Sequence, residues 1–128
     1  MSMSPLPKIG EVRARSTTGA EKGRKAQRFS LIPKRALARV AEHYAAGSEK
    51  YEDWNWRKGY PWSWSLDSLY RHLAAFEDGE DIDPETGTHH LAAVAWHALT
   101  LLTFVEEHPE LDDRYKREDQ ADKARART

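Results

Sequence analysis

Cysteine is absent from this 128-residue chain. Without thiols there is no disulfide framework, no thiolate metal site and no thiol nucleophile. No apolar run approaches the roughly 20 residues that span a bilayer. The opening 23 residues, MSMSPLPKIGEVRARSTTGAEKG, also lack the apolar centre of a secretory signal. The expectation is a soluble chain of a reducing interior with no membrane partner. Familiar catalytic signatures are missing as well. The run GRKAQR lacks the second glycine and the hydroxyl residue of a phosphate loop. No GxGxxG, HExxH or GxSxG occurs, nor a His-Asp dipeptide of the kind that builds one class of metal phosphohydrolase.

What is present is charge, 32% of residues against 39% hydrophobic. The net charge of -1 hides a strong polarity: residues 8–39 sum to +8, whereas residues 77–85 carry six carboxylates and no base. Such a pairing suits an anionic ligand held through a metal ion, or else a basic arm and a solvated acidic loop. Residues 1–24, poor in large apolar side chains, read as a flexible basic arm, and 113–128 as a charged tail with little to bury. The working domain is then 25–112.

Apolar spacing predicts three helices. The first covers about 33–46, with Leu37, Val40, Ala41 and Tyr44 on one face and Gly47 at its end. The second starts after Ser65 as N-cap, carries Leu66, Leu69, Tyr70, Leu73 and Phe76, and stops at Gly79. His72 borders its stripe, and Arg71 points nearly opposite. The third covers about 89–107 and is apolar almost all round, which marks it as the central helix. No stretch alternates convincingly with period two, so no strands are expected. The fold class is all-α, a small bundle of about three to four core helices. The wide apolar face of the third helix favours a homo-oligomer, a dimer or larger.

Between the first two helices, Lys50–Trp64 holds four of the five tryptophans. Aromatics at that density either wall a pocket for a planar base or form a small core that caps the helices. The segment EDGEDIDPETGTHH, Glu77–His90, is a dense carboxylate loop between helix ends. Such a loop supplies hard ligands for Mg²⁺ or Mn²⁺, or is a bland acidic turn. A calcium-loop reading fails, because Gly87 falls one place late and the twelfth position is Ala92. His72, His89 and His90 can reach the same region. Histidine mixed with carboxylate suits Mn, Fe or Zn as well as a purely structural hydrogen bond.

The order GRKAQRFSLIPKRAL, GSEKYEDWNWRKG, then RHLAAF-x-x-GEDIDPETG-x-x-HLAAVAW resembles the phage-type dATP/dGTP diphosphohydrolase N-terminal domain family, related to the MazG-like all-α NTP pyrophosphatases. The likeness covers about residues 22–107. It is carried by Lys50-Tyr51, Asn55-Trp56, Gly59, Arg71-His72, and Gly79-Glu80 through Asp83, Glu85, Gly87 and His90. The resemblance implies metal-dependent hydrolysis of purine deoxynucleoside triphosphates (dGTP/dATP) to monophosphate and pyrophosphate. The alternative is a non-catalytic protein that binds or sequesters a purine nucleotide. The cofactor implied is Mg²⁺, with Mn²⁺ in reserve, and the setting is a bacterial host cytoplasm if the gene is phage-borne.

The residues follow the same resemblance. Glu80 and Asp83 would be catalytic and metal-ligating, with Glu85, His72 and His90 completing the ligand set. Lys50 and Arg71 would meet the phosphates, with Arg57 and Lys58 behind them. Asn55 would present donor and acceptor to a purine edge, with Trp56 or Tyr51 stacked on it. Nucleic acid is not an expected partner. One departure stands out: the superfamily places an ExxE and an ExxD pair on separate helices. Here Glu77-x-x-Glu80 and Glu80-x-x-Asp83 overlap around Gly79, which leaves Glu42 or Glu49 to complete the site.

Overall fold

The structure is a computed structural model that describes residues 11–116. The described chain divides into two compact units, one ending at Lys34 and the other starting at Arg35.

The first unit is an antiparallel hairpin, β1 (Glu11–Arg15) and β2 (Glu21–Lys25), in the register Val12↔Arg24 and Ala14↔Lys22. Gly19, at φ 88°, turns the chain, with Ser16 N–H donating to Ala20 O at 2.8 Å. This corrects the expectation of no strands, and the hairpin takes up residues 11–24 of the segment read as a basic arm. The ladder is made of backbone bonds, and its described side chains are exposed apart from the half-buried Ala14 and Gly23. A ribbon with no buried face has no apolar alternation to read. Residues 1–10 and 117–128 lie outside the described residues.

The second unit is helical, as expected, and is built from α1 (Lys34–Lys50), α2 (Trp62–Glu77) and α3 (His90–Glu107). Gly47 does not end α1, which runs on to Lys50 with Tyr51 N–H bonded to Gly47 O at 3.0 Å. One interior glycine costs a helix only about 1 kcal/mol. The start of α2, at Trp62, lies four residues before the expected one. Ser65 is fully buried inside the helix, and the cap comes instead from the tail. Asp113 accepts from Ser63 N–H at 2.9 Å and from Ser63 Oγ at 2.5 Å. The beginning of the charged tail therefore docks.

Helices α2 and α3 run antiparallel and hold the centre, as the pairs His72–His90, Ser65–His97 and Tyr60–Phe104 show. Among the described residues, the buried apolar ones are Trp62, Ala92, Ala93 and Phe104. One side of the pair is covered by α1, through His43 and Tyr44 on the Trp96 ring at 6.0 and 5.7 Å between centroids. The Trp-rich connection joins that side. Trp56 packs among Tyr44, Trp96 and Phe104, forming the small aromatic core, while Trp54 and Trp64 stay exposed. Gly59 closes the connection at φ 93°, where a Cβ would stand 2.9 Å from Leu111 Cδ1 and 3.0 Å from the His108 ring.

Candidate metal centre

The loop after α2 folds back on itself before α3 begins. Gly79, at φ 99°, stops α2, and Ile82 bridges to His89. Asp83 N–H bonds Thr88 O at 2.9 Å, and Gly87 N–H bonds Asp83 O at 2.7 Å, with Gly87 at φ 75°. These bonds turn the Asp83 carboxylate inward, where it is buried. Its Oδ1 accepts from Glu85 N–H at 2.9 Å, which fixes the carboxylate plane. His89 caps α3 by accepting from Leu91 N–H at 3.0 Å, so His90 enters as the first helical residue.

His72 from α2, Asp83 from the loop and His90 from α3 thus converge. Each offers a ligand atom, and the three atoms lie within 4.8 Å of one another. His72 Nδ1 and His90 Nδ1 are 2.9 Å apart, and Asp83 Oδ2 is 3.9 Å from His72 Nδ1. Two nitrogens at about 2.1 Å from one ion and 90° apart would be separated by about 3.0 Å, so the observed spacing fits a shared cation. Glu80 stands on the far side of His90, its Oε1 2.6 Å from Nε2. A carboxylate on the second nitrogen of a ligating histidine fixes its tautomer and leaves Nδ1 free as the donor atom.

Around the cluster runs a wider polar network. His43 Nδ1 meets Thr88 Oγ1 at 2.7 Å, and Thr88 Oγ1 lies 2.9 Å from Thr86 Oγ1. The His97 ring stacks on His72 at 6.1 Å, and its Nδ1 bonds Ser65 Oγ, which also bonds the Tyr60 hydroxyl at 2.6 Å. Burial pushes His43, His72 and His97 toward the neutral imidazole, His97 down to about 4. Neighbouring imidazoles push the same way, while Asp83 partly opposes the shift of His43 and His72. Neutral imidazole is the form that ligates.

The other expected site residues are spread more widely. Glu85 is exposed and faces Lys50 at 3.9 Å rather than the cluster. Arg71 is exposed one residue from His72, and Tyr51 is exposed beside Lys50, whose Nζ is 5.4 Å from its ring. Asn55 is half-buried at the start of a short 3-10 turn, Asn55–Lys58. Lys58 pairs with Glu52 at 3.7 Å. Arg57 forks onto Glu107, its Nη2 2.8 Å from Oε2. Glu107 ends the helix that His90 begins, so that fork lies about 25 Å from the cluster. Glu42 and Glu49 stand exposed on α1, and neither joins the His72–Asp83–His90 group. Sequence reasoning missed His43 and Thr88. The signal for His43 was its place three residues after Val40 on the inner face of α1.

The sequence matches the family described as dATP/dGTP diphosphohydrolase, N-terminal, over residues 16–114. It is also similar to a protein of Salmonella phage PMBT28 named dATP/dGTP diphosphohydrolase, 36% identical over 86 residues. That match covers 67% of this chain and 29% of the phage protein, so the chain spans less than a third of that relative. No solved structure matches it. With residues 16–114 inside the family match, the chain belongs to the dATP/dGTP diphosphohydrolase N-terminal domain family.

Proposed function

We propose that the chain hydrolyses purine deoxynucleoside triphosphates to monophosphate and pyrophosphate at a divalent ion held by His72, Asp83 and His90. The observation behind this reading is the convergence of three buried ligand atoms within 4.8 Å, in a member of this family. Two imidazoles and one carboxylate suit Mn²⁺, Fe²⁺ or Zn²⁺ better than Mg²⁺. Mg²⁺, which prefers oxygen and retains water, is the natural companion of the triphosphate itself. When bound, the ion would neutralise phosphate charge and lower the pKa of a coordinated water.

The chain's own groups have distinct tasks. Asp83 is held by the loop backbone, so no reorganisation is needed when charge develops nearby. Glu80 orients His90 while its side chain stays 54% exposed, which makes it the carboxylate placed to take a proton from the attacking water. As water attacks the α-phosphorus, the bond to the β-phosphate breaks and pyrophosphate leaves. Lys50, 3.9 Å from Glu85 of the loop, and the exposed Arg71, next to His72 in sequence, would meet the departing phosphates. Asn55 and Tyr51 would receive the purine, because the rings of Tyr44, Trp96 and Phe104 already surround Trp56.

The test is a panel of deoxynucleotides and ribonucleotides with Mn²⁺ or Mg²⁺, products separated by ion exchange. Monophosphate and pyrophosphate from a purine substrate are expected, and turnover should vanish in Asp83→Asn. Tight binding without product would replace hydrolysis by sequestration. Full turnover in Asp83→Asn would displace the site.

A further inference from the structure

We propose that the β1–β2 hairpin and the turn after it form a binding site for single-stranded nucleic acid, with phosphates on Lys22, Arg24 and Arg28 and a base stacked on Phe29. The site lies wholly within the first unit and stands whether or not the chain is a hydrolase.

From the sequence alone nucleic acid is not an expected partner, because these cations read as a flexible basic arm. The ladder changes that by fixing which of them share a face. Side chains at directly paired positions of a two-stranded sheet lie on the same side, about 5 Å apart. The register Val12↔Arg24 and Ala14↔Lys22 therefore sets two cations beside two apolar residues on one face. Arg13 and Arg15 stand on the other. Residues 12–34 carry seven Lys and Arg against a single carboxylate, Glu21, which the ladder pairs with Arg15. Among the described residues, Arg24 and Arg28 take no carboxylate partner. Positive charge gathered in this way attracts a polyanion.

Two grooves open beside these cations. The first, of about 400 Å³, is lined by Lys22, Arg24, Gln27, Arg28, Phe29 and Ser30 among others. The second, of about 270 Å³, has Val12 and Ala14 in its wall. Small-ligand sites measure roughly 300–1,000 Å³, so each groove has room for one nucleotide unit at most. Arg24 and Arg28 line both grooves. Adjacent recesses with shared cations between them fit a chain, whose phosphate passes the guanidinium groups while successive units occupy the two sides. A free nucleotide would fill one groove and leave the other without a ligand.

The chemistry of the lining agrees. A guanidinium takes a phosphate through two parallel N–H donors. Phe29 sits on a 3-10 turn, Phe29–Leu31, and is 74% exposed, with no ring packed on it among the described residues. Gln27 and Ser30 can both donate and accept along a base edge. A cationic groove with an aromatic platform holds single strands of any sequence, since every base has a face to stack. A duplex keeps its base faces covered and could offer only its phosphates here. The ribbon is also held in shape before any ligand arrives, by its backbone ladder and by Ser16 Oγ and Thr18 Oγ1, 2.6 Å apart across the turn. Less ordering is then required on binding.

The test is fluorescence anisotropy of labelled oligo(dT) with the full chain in EDTA. A pyrimidine strand without divalent ions keeps the readout apart from the metal cluster and from purine hydrolysis. Three cations on three phosphates predict a slope of about −2.1 in log affinity against log salt, or about 20-fold weaker binding at 200 mM than at 50 mM. Arg24→Gln with Arg28→Gln should reduce the slope to about −0.7. Phe29→Ala should weaken binding about 5–150-fold and leave the slope as it is. A second measurement needs no variant: an iodouracil-substituted strand, photo-cross-linked and digested with trypsin, should be attached to the peptide FSLIPK, residues 29–34. Absence of oligo(dT) binding overturns the proposal, as does a Phe29→Ala chain that binds like wild type or a cross-link confined to the helical unit. Tighter binding of a duplex of equal length overturns it too. Displacement by dTTP at an equal concentration of nucleotide units would make the grooves a free-nucleotide site and end the proposal.

Discussion

Replacing Glu80 by Gln and Asp83 by Asn separates a ligand from the group that orients a ligand. Asp83 points its buried carboxylate at the two imidazoles, whereas Glu80 touches only the outer nitrogen of His90, at 2.6 Å. Both substitutions keep shape. In Asp83→Asn the amide oxygen can still accept from Glu85 N–H, and in Glu80→Gln it can still accept from His90. At free Mn²⁺ one hundred times the dissociation constant, the wild-type chain should gain about 2.7 kcal/mol, or roughly 10 °C in unfolding temperature for a domain of this size. Loss of an outer-shell partner weakens metal binding about 10–100-fold. Glu80→Gln should therefore keep a residual gain of about 0.4–1.4 kcal/mol at the same Mn²⁺ concentration. Asp83→Asn, which replaces a charged ligand by a weak neutral one, should show almost none. The assay is calorimetric unfolding of chelator-stripped protein across an Mn²⁺ titration, with Mg²⁺ in parallel and expected to be weaker. If Glu80→Gln abolishes the shift as completely as Asp83→Asn, then Glu80 is itself a ligand and the outer-shell assignment fails. If the wild type shows no shift with any divalent ion, the cluster is a hydrogen-bonded core and nothing more.

Two other outcomes follow from burial. Phe104 is fully buried and packs against Trp56, Tyr60 and His108, so Phe104→Ala should cost about 3–5 kcal/mol in urea unfolding at fixed protein concentration. A cost below about 1 kcal/mol would mean that the aromatic cluster does not hold α3. In EDTA, stability should also fall with acid. Burial holds His97 near 4 in the folded chain, against about 6.5 when unfolded. Between those values the unfolded chain binds a proton that the folded ring refuses, so stability is complete above the upper value and declines toward the lower, by up to about 3 kcal/mol. The downward shifts of His43 and His72 act in the same direction. A flat stability profile from pH 7 to 4 would refute this.

The helices were legible in the sequence because their apolar stripes are long, and Gly79 ended α2 where expected. Ser65 shows where such reading stops. A serine before an apolar run looks like a cap, yet here it fills a fully buried position between Tyr60 and His97. The cap, Asp113, lies fifty residues away in a stretch that reads as solvent-exposed. The hairpin was illegible for a different reason: backbone bonds and one glycine turn define it, and its side chains carry no inside and outside. At the site, His72, Asp83 and His90 entered through family resemblance, and the geometry joins them. That Glu80 lies behind His90, that Glu85 faces Lys50, and that Arg57 lies at the far end of α3 depend on how a loop folds back. No spacing rule contains that information.

A polar interior carries a consequence for the whole chain. Ser65, His72, Asp83, Thr88, His90 and Thr100 are buried in a domain in which, among the described residues, four apolar residues are buried. Most of these polar groups are satisfied by one another, and Thr100 Oγ1 is the buried side-chain atom without a partner among the described residues. A satisfied hydrogen bond adds only about 1 kcal/mol net, while full burial of a leucine side chain adds about 1.5–3 kcal/mol. A core built to hold a cluster of imidazole and carboxylate thus forgoes much of the stability an apolar core would give. The missing apolar burial lies on the outside of the same two helices, in Tyr70, Leu73, Leu91 and Leu102.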